Sequence, residues 1–256
     1  MLGAIAGDII GSIYEHHNTT DWHFPLFGPG CRVTDDSVLT IAVADAILNG
    51  LPFGETIKAY YRRYPQAGYG KRFRDWGDSD SLEPYYSYGN GSAMRVSPAG
   101  WAGKDLPEVL QLAEQSAACT HNHPEGIQGA QAIAAVIYWA RLGKPKSEIR
   151  EGVIREFEYD LSATMADLKG MCIFDVTCQG SVPQAISAFL ESDDFESAIR
   201  NAIVIGGDSD TLACMAGAMA EAFYGGLPAT IAEPVWRYLD APLRQVVEAF
   251  RGKFVK

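Results

Sequence analysis

The sequence is poor in cysteine, and no two of its cysteines form a Cys-x-x-Cys pair. The five that occur are scattered and odd in number: Cys31, Cys119, Cys172, Cys178 and Cys214. Disulfide frameworks and zinc sites need paired or closely spaced cysteines, so this pattern argues against both. It is typical of proteins in the reducing cytoplasm, which is the compartment we predict.

Long apolar runs and basic segments are also missing. No stretch reaches the roughly 18 apolar residues that a membrane-spanning helix requires. The apolar amino-terminal stretch has no basic segment before it and is interrupted by Asp8 and Glu15, so we expect neither a signal peptide nor a membrane partner. Lysine and arginine total 21 against 32 aspartates and glutamates, a net charge of -11. This balance argues against binding nucleic acid or acidic membranes through a basic face.

The alternation of apolar and polar residues that marks β-strands is absent as well. Apolar residues instead recur at helical spacing in segments 2–14, 38–48, 53–63, 106–118, 124–142, 146–159, 182–190, 195–205 and 211–224. Segment 228–250 adds one or two helices, whereas 16–32 and 65–90 look irregular. With 47% hydrophobic residues and no linker or repeat, the chain predicts one all-α domain over residues 1–256. We expect a compact, monomeric, orthogonal bundle of about ten or more helices, with loops meeting at one acidic site.

Two acidic clusters open two of these predicted helices. One is Asp208-Ser209-Asp210-Thr211, after a pair of glycines, and the other is Thr34-Asp35-Asp36-Ser37. Capping of the helix amides is one interpretation, although a cap needs one side chain and each cluster offers four. The other is a metal site, because hard divalent cations bind several carboxylate and hydroxyl oxygens from separate segments. Adjacent helical residues point in different directions, so Asp35 and Asp36 would face two Mg²⁺ or Mn²⁺ ions.

The first predicted helix carries three glycines and two acidic residues of interest. Gly3, Gly7 and Gly11 are four residues apart and share one face. Glycine weakens a helix, so this spacing predicts close approach by a neighbouring helix. Asp8 needs a partner if it is buried. Asp8 and Glu15 are either surface charges or point toward the Asp35-Asp36 site.

Three further segments contain candidate ligand-binding residues. Backbone amides of Gly68-Tyr69-Gly70 can hold phosphate oxygens, although a plain turn fits equally well. Gly89-Asn90-Gly91-Ser92 demands unusual backbone angles, which suits either a polar ligand or a tight turn. His121 precedes a helix, where a neutral imidazole either binds a ligand or caps and packs.

Five motifs together resemble the ADP-ribosylglycohydrolase family, which includes the dinitrogenase reductase-activating glycohydrolase. They occur in the family's order and extend from residue 3 to about residue 225: Gly3-Ala-Ile-Ala-Gly-Asp8 through Glu15, Thr34-Asp35-Asp36, Gly89-Asn-Gly-Ser-Ala-Met-Arg95, Thr120-His121 and Gly207-Asp-Ser-Asp-Thr211.

The resemblance implies an all-helical hydrolase with two Mg²⁺ or Mn²⁺ ions. It places one set of metal ligands at Thr34, Asp35 and Asp36 and the other at Asp208, Asp210 and Thr211. It places ADP-ribose contacts at Asn90, Gly91, Ser92 and His121, and diphosphate binding at Gly68, Tyr69 and Gly70. Glu15 matches a mobile acidic residue, and Glu15 or Asp36 would accept a proton from the attacking water.

The implied reaction is hydrolysis at C1″ of ADP-ribose linked to a protein or a small molecule, with nucleic-acid conjugates also open. The loop at 68–70 is similar to that of serine-type relatives. The Asp-(Ile/Val)-Gly motif of other branches is missing, which disfavours an arginine linkage. Two alternatives remain: a non-catalytic ADP-ribose binder or crystallin-like protein, and a two-metal nucleotide phosphohydrolase.

Overall fold

The computed structural model describes residues 1–255 and contains helices but no β-strand within them. The helices are α1 (Leu2–Gly11), α2 (Asp35–Asn49), α3 (Phe53–Arg63), α4 (Lys71–Asp78), α5 (Gly91–Met94), α6 (Ser97–Ala102), α7 (Leu106–Ala118), α8 (Pro124–Arg141), α9 (Lys146–Phe157), α10 (Met165–Leu168), α11 (Cys178–Leu190), α12 (Phe195–Ile205), α13 (Ser209–Tyr224), α14 (Ala229–Tyr238) and α15 (Ala241–Phe254). The predicted all-α class is therefore confirmed. None of the described helices is both long enough and apolar enough to cross a bilayer.

The centre of the fold is α13, which is almost entirely buried and packs against α1, α8, α11 and α12. Its contact with α1 is unusually close. A Cβ atom added to Gly7 would lie 2.0 Å from the carbonyl oxygen of Ala213, and one added to Gly3 would lie 2.2 Å from that of Gly217. The close approach predicted from the glycine spacing is confirmed, and it fixes the two helices backbone to backbone.

Several helix boundaries lie two to four residues from the predicted ones, among them those of α1, α11 and α13. The first helix ends at Gly11 rather than residue 14, because the next residues form a turn in which the Tyr14 amide donates to the Gly11 carbonyl. The eleventh helix begins at Cys178 rather than residue 182, since the Thr177 hydroxyl caps it by accepting from the Gly180 amide. The central helix begins at Ser209, two residues earlier than predicted.

The prediction that residues 65–90 are irregular was wrong for α4. Phe73 and Trp76, three residues apart, are both buried on one face of this short helix. This spacing is typical of an amphipathic helix. The charged residues and the glycine around the two aromatics made it hard to recognise in the sequence.

The amino-terminal ends of four helices border one cleft. These are the starts of α2, α4, α5 and α13, and the cleft has a volume of about 420 Å³. Helix amino termini carry unpaired amides and a partial positive charge. The topology therefore gathers groups that attract anions and carboxylates around a single cavity.

Candidate active site

The acidic end of the cleft is built from five carboxylates of three chain segments. Oxygens of Asp8, Asp36 and Asp210 lie within 4.8 Å of one another, and so do oxygens of Glu15, Asp208 and Asp210. Asp210 belongs to both groups. The structure therefore brings the two acidic clusters of the sequence together, with Asp8 and Glu15 beside them.

Asp8 positions the start of α2. Its carboxylate accepts hydrogen bonds from the backbone amides of Thr34 (3.0 Å) and Ser37 (3.2 Å) and from both hydroxyls. Asp8 is fully buried, so the partner that the sequence required is the amino terminus of a second helix. Because the Thr34 hydroxyl donates its proton to Asp8, its oxygen lone pairs are left to accept, and the Asp36 amide donates to this oxygen at 3.3 Å.

Two asparagines hold the Asp208 segment in place, and sequence reasoning gave neither of them this role. Asn90 donates to a carboxylate oxygen of Asp208 at 2.7 Å and to the Ser181 hydroxyl at 3.0 Å. Asn18 exchanges two hydrogen bonds with the backbone of Gly207, at 2.9 and 3.1 Å. The isolated sequence carries no signal for these contacts, because the partners lie 91 to 189 residues apart.

The electrostatics of this end call for a cation. Burial and neighbouring carboxylates raise the pKa of Asp36 and Asp210 well above the usual value. Burial, followed by the charge of Asp8, raises the pKa of Asp35 to about 8. Burial also raises the pKa of Asp208, although the hydrogen bond from Asn90 opposes this.

No lysine, arginine or histidine within residues 1–255 forms an ion pair with Asp8 or with the four aspartates of the two sequence clusters. Oxygen Oδ1 of Asp36 is buried without any hydrogen-bond partner. A group of buried carboxylates without a counter-charge is costly, so its members either bind protons or are joined by a cation. Carboxylate and hydroxyl oxygens are the ligands that hard divalent cations prefer, so the residues present fit such an ion.

A second part of the cleft wall carries uncapped amides and basic residues, and it begins beside the acidic cluster: a Cβ atom added to Gly68 would lie 3.4 Å from Oδ1 of Asp35. Gly68, with a φ of +109°, and Gly70 lead into α4, whose first amides have no side-chain cap. Lys71, Arg72 and Arg32 also line the cleft. The backbone amide of Asp35 donates to the Ala67 carbonyl at 2.8 Å, which ties this loop to the acidic cluster.

The predicted ligand-binding residues divide into two groups. Gly68, Gly70, Asn90, Gly91 and His121 all line the cleft.

The side chains of Tyr69 and Ser92 point elsewhere. The Tyr69 ring is 1% exposed and stacks on Phe73 with centroids 5.2 Å apart, so it cannot stack on a base. The Ser92 hydroxyl donates to the Gly126 carbonyl at 2.7 Å. A Gly-x-Gly pattern reports backbone conformation and leaves the direction of the central side chain open.

A segment that the sequence analysis did not single out completes the rim. Residues 171–176 carry the exposed side chains of Met171, Ile173, Phe174 and Val176, two of which line the cleft. Main-chain hydrogen bonds hold the segment at both ends: the Cys172 amide donates to Ile205 and the Asn90 amide donates to Val176. Gly207 permits this packing, because a Cβ atom there would lie 2.2 Å from the Ile173 carbonyl oxygen.

Comparison with known proteins agrees with this architecture. The human ADP-ribosylhydrolase ARH3 is 28% identical over 88% of this chain and 84% of its own. The ADP-ribosyl-[dinitrogen reductase] glycohydrolase of Rhodospirillum rubrum is 24% identical over 88% of this chain and 84% of its own. ADP-ribosylarginine hydrolase Tri1 of Pseudomonas putida is 24% identical over 92% of this chain and 72% of its own.

A solved structure titled as an ADP-ribosylglycohydrolase-related protein complex shares the fold, with a TM-score of 0.75 at 24% identity. The match covers 97% of this chain and 95% of that one. The sequence model of ADP-ribosylglycohydrolase matches residues 1–255. The chain therefore belongs to the ADP-ribosylglycohydrolase family and is a glycohydrolase.

Proposed function

We propose that this protein hydrolyses the C1″ glycosidic bond of ADP-ribosyl conjugates and releases ADP-ribose. The observation that carries the proposal is that one cleft holds both a cluster of carboxylates and, at the start of α4, uncapped amides beside Lys71 and Arg72. A fitting ligand offers hydroxyls to cations at the carboxylates and a diphosphate to the start of α4. ADP-ribose is such a molecule, and the names of the relatives describe hydrolases of its conjugates.

The cofactors in this proposal are two divalent cations, Mg²⁺ or Mn²⁺. One ligand set is Thr34, Asp35 and Asp36, and the other is Asp208, Asp210 and Thr211. The count of two is supported by two clusters of carboxylates, Asp8-Asp36-Asp210 and Glu15-Asp208-Asp210, which share Asp210. The buried Asp36 oxygen that has no hydrogen-bond partner also supports a bound cation. When bound, such cations orient sugar hydroxyls and make a water molecule more acidic.

We assign the general base to Glu15. Its side chain is 21% exposed and lines the cleft, and no lysine or arginine within residues 1–255 forms an ion pair with its carboxylate. A carboxylate that accepts no hydrogen bonds is free to take a proton from the attacking water. Asp36, the alternative base, is more buried and its oxygens are needed by a cation.

The diphosphate would bind the backbone amides at Gly68, Tyr69 and Gly70 and the first amides of α4. Helix amino termini favour phosphate oxygens in this way. Asn90, Gly91, Ser92 and His121 would contact the remaining parts of ADP-ribose, with Ser92 acting through its backbone because its hydroxyl is already paired.

The proposed partner is an ADP-ribosylated protein or a small-molecule conjugate, with a nucleic-acid conjugate included in the test. The missing Asp-(Ile/Val)-Gly motif disfavours an arginine linkage. Phe174 and Val176 are exposed and line the cleft, and in this proposal they contact the leaving group.

The test is product analysis by mass spectrometry. Serine-, arginine-, acyl-, nucleic-acid- and small-molecule-linked ADP-ribose are incubated with the protein in Mg²⁺, Mn²⁺ or EDTA. We expect free ADP-ribose from at least one conjugate with metal and none with EDTA. Release of AMP or phosphate would instead indicate a phosphohydrolase, and calorimetric binding of ADP-ribose without turnover of any conjugate would indicate a binder.

Matched variants sharpen this test. Asp35→Ala and Asp210→Ala should abolish release while the far-ultraviolet circular dichroism spectrum stays helical. Asp193→Ala removes an exposed carboxylate from the acidic turn before α12 and should change nothing. Full activity in both cleft variants would refute the metal site.

A further inference from the structure

Arg95 is a buried cation that the proposed reaction does not use. Its side chain is fully buried, and it forms no ion pair within residues 1–255. Its Nη2 donates to the Ser116 carbonyl and to the Thr120 hydroxyl, both at 2.8 Å. A buried guanidinium without a carboxylate lowers the stability of the fold, which indicates that Arg95 has a role in the site.

The Thr120 hydroxyl has one proton, and its surroundings decide where that proton goes. Arginine is only a donor, so the Thr120 oxygen accepts from Arg95. The remaining neighbour is Nδ1 of His121, at 2.7 Å. Thr120 is fully buried, and leaving its proton without an acceptor would cost the desolvation of an unpaired group. The hydroxyl therefore donates to Nδ1, which must carry no proton.

The His121 ring is neutral in this setting. Burial, followed by the charges of Arg95 and Arg72, lowers the pKa of His121 well below its usual value. A neutral imidazole with an unprotonated Nδ1 carries its single proton on Nε2.

Nε2 of His121 faces the cleft. Cβ atoms added to Gly91 and Gly89 would lie 3.2 and 3.5 Å from it, so the absence of side chains at these two positions leaves the nitrogen open. No other group within residues 1–255 forms a hydrogen bond with Nε2, and the ring lines the cavity.

We propose that Arg95 and Thr120 are positioning residues that hold His121 as the Nε2–H tautomer, so that this N–H donates to an acceptor oxygen of the ligand in the cleft. The identity of that ligand, ADP-ribose, rests on the proposed function, whereas the tautomer follows from the hydrogen bonds alone. The opposite tautomer would present a lone pair to the ligand's oxygens and repel them.

The first measurement needs no variant and no substrate. Long-range proton–nitrogen NMR of protein labelled with ¹⁵N-histidine should show Nε2 protonated and Nδ1 unprotonated, with the signals assigned by their loss in His121→Gln. A protonated Nδ1 in the wild-type protein would overturn the inference, whether or not the protein hydrolyses any conjugate.

The second measurement compares Thr120→Val, which keeps the shape and loses the hydroxyl, with Thr120→Ser, which keeps the hydroxyl. By calorimetry, the valine variant should bind ADP-ribose about tenfold more weakly, since one hydrogen bond to the ligand loses its donor. The serine variant should stay within about twofold of wild type. Equal losses in the two variants would refute the proposal, because keeping the hydroxyl in Thr120→Ser would then not preserve binding. An unchanged tautomer and affinity in Thr120→Val would refute it directly.

If ADP-ribose does not bind the wild-type protein at all, the proposed function fails while the wild-type NMR result still tests the tautomer.

Discussion

Replacing Gly7 by alanine tests whether backbone contact between α1 and α13 sets the geometry of the acidic site. In an ordinary helix, Gly→Ala gains about 1 kcal/mol through helix propensity. Here the new Cβ would lie 2.0 Å from the Ala213 oxygen, 2.3 Å from its carbonyl carbon and 2.7 Å from the Cys214 nitrogen. All three are backbone atoms, so no side chain can rotate away.

Overpacking of this kind costs ~1–3 kcal/mol or more, and the upper end applies where two backbones collide. Subtracting the propensity gain leaves a net loss of about 2 kcal/mol or more in the free energy of unfolding. For a chain of this size, that corresponds to a fall in melting temperature of about 5 °C or more.

The matched control is Gly252→Ala, in α15, where an added Cβ has no atom within 4 Å. The same chemical change should raise the melting temperature there by about 2–4 °C, because only the propensity gain remains. Thermal unfolding followed by circular dichroism compares the two variants. If both alanines stabilise the protein equally, the close approach of the two helices is not what Gly7 serves.

The same pair of variants has a second readout. Gly7→Ala forces α1 away from α13, so that Asp8, which accepts hydrogen bonds from Thr34 of one proposed ligand set, moves away from Asp210 of the other. Octahedral Mg²⁺ tolerates little change from ligand distances of roughly 2.0–2.1 Å. We expect at least about a tenfold loss of Mn²⁺ or Mg²⁺ affinity by calorimetry for Gly7→Ala and none for Gly252→Ala. If Gly7→Ala lowers the melting temperature but leaves the metal affinity unchanged, the contact between α1 and α13 stabilises the fold without setting the geometry of the metal site.

Four further predictions follow from the same structure. Asp210→Asn should abolish turnover yet raise the melting temperature of the metal-free protein, because it removes one of several buried, mutually repelling charges. Asp193→Asn is the exposed control. A lower melting temperature in Asp210→Asn would contradict the electrostatic argument. The free energy of unfolding of the metal-free protein should fall as the pH rises from 5 to 8, because folded Asp35, with a pKa of about 8, binds more protons across this range than it does in the unfolded chain. Melting temperatures measured in EDTA should therefore decrease with pH, and Mg²⁺ should reduce this dependence. A melting temperature in EDTA that increases with pH would contradict the prediction. Glu15→Gln should lower kcat about a hundredfold or more while ADP-ribose binding stays within a few-fold, as expected for loss of a general base; a large change in KM alone would point to a binding role. Tyr69→Phe removes a buried hydroxyl that has no partner and should therefore leave both stability and ADP-ribose affinity unchanged or slightly improved, whereas a large loss of affinity would mean that the tyrosine reaches the ligand.

The acidic clusters could be located from the sequence because their signals are local. Thr34–Asp36 and Asp208–Thr211 combine the caps that start a helix with more carboxylates than a cap needs. The glycine spacing in α1 was informative for the same reason, since three positions on one face describe the surface of a single helix.

Long-range pairings could not be read in this way. Asp8 meets Thr34 across 26 residues, and Asn18 meets Gly207 across 189. Nothing near Asn18 in the chain distinguishes it from a loop asparagine. The direction of the Tyr69 ring was also beyond reach, because it depends on the aromatic packing of α3 and α4 rather than on its flanking glycines.

The rim segment 171–176 has a consequence for how such a protein diverges. Its attachment uses main-chain hydrogen bonds to Ile205 and Asn90, which do not depend on the identity of the four exposed apolar side chains. Substitutions of these four side chains therefore leave the core untouched. Under the proposed function, exchanging them would change which conjugate is admitted without altering the backbone or the acidic site.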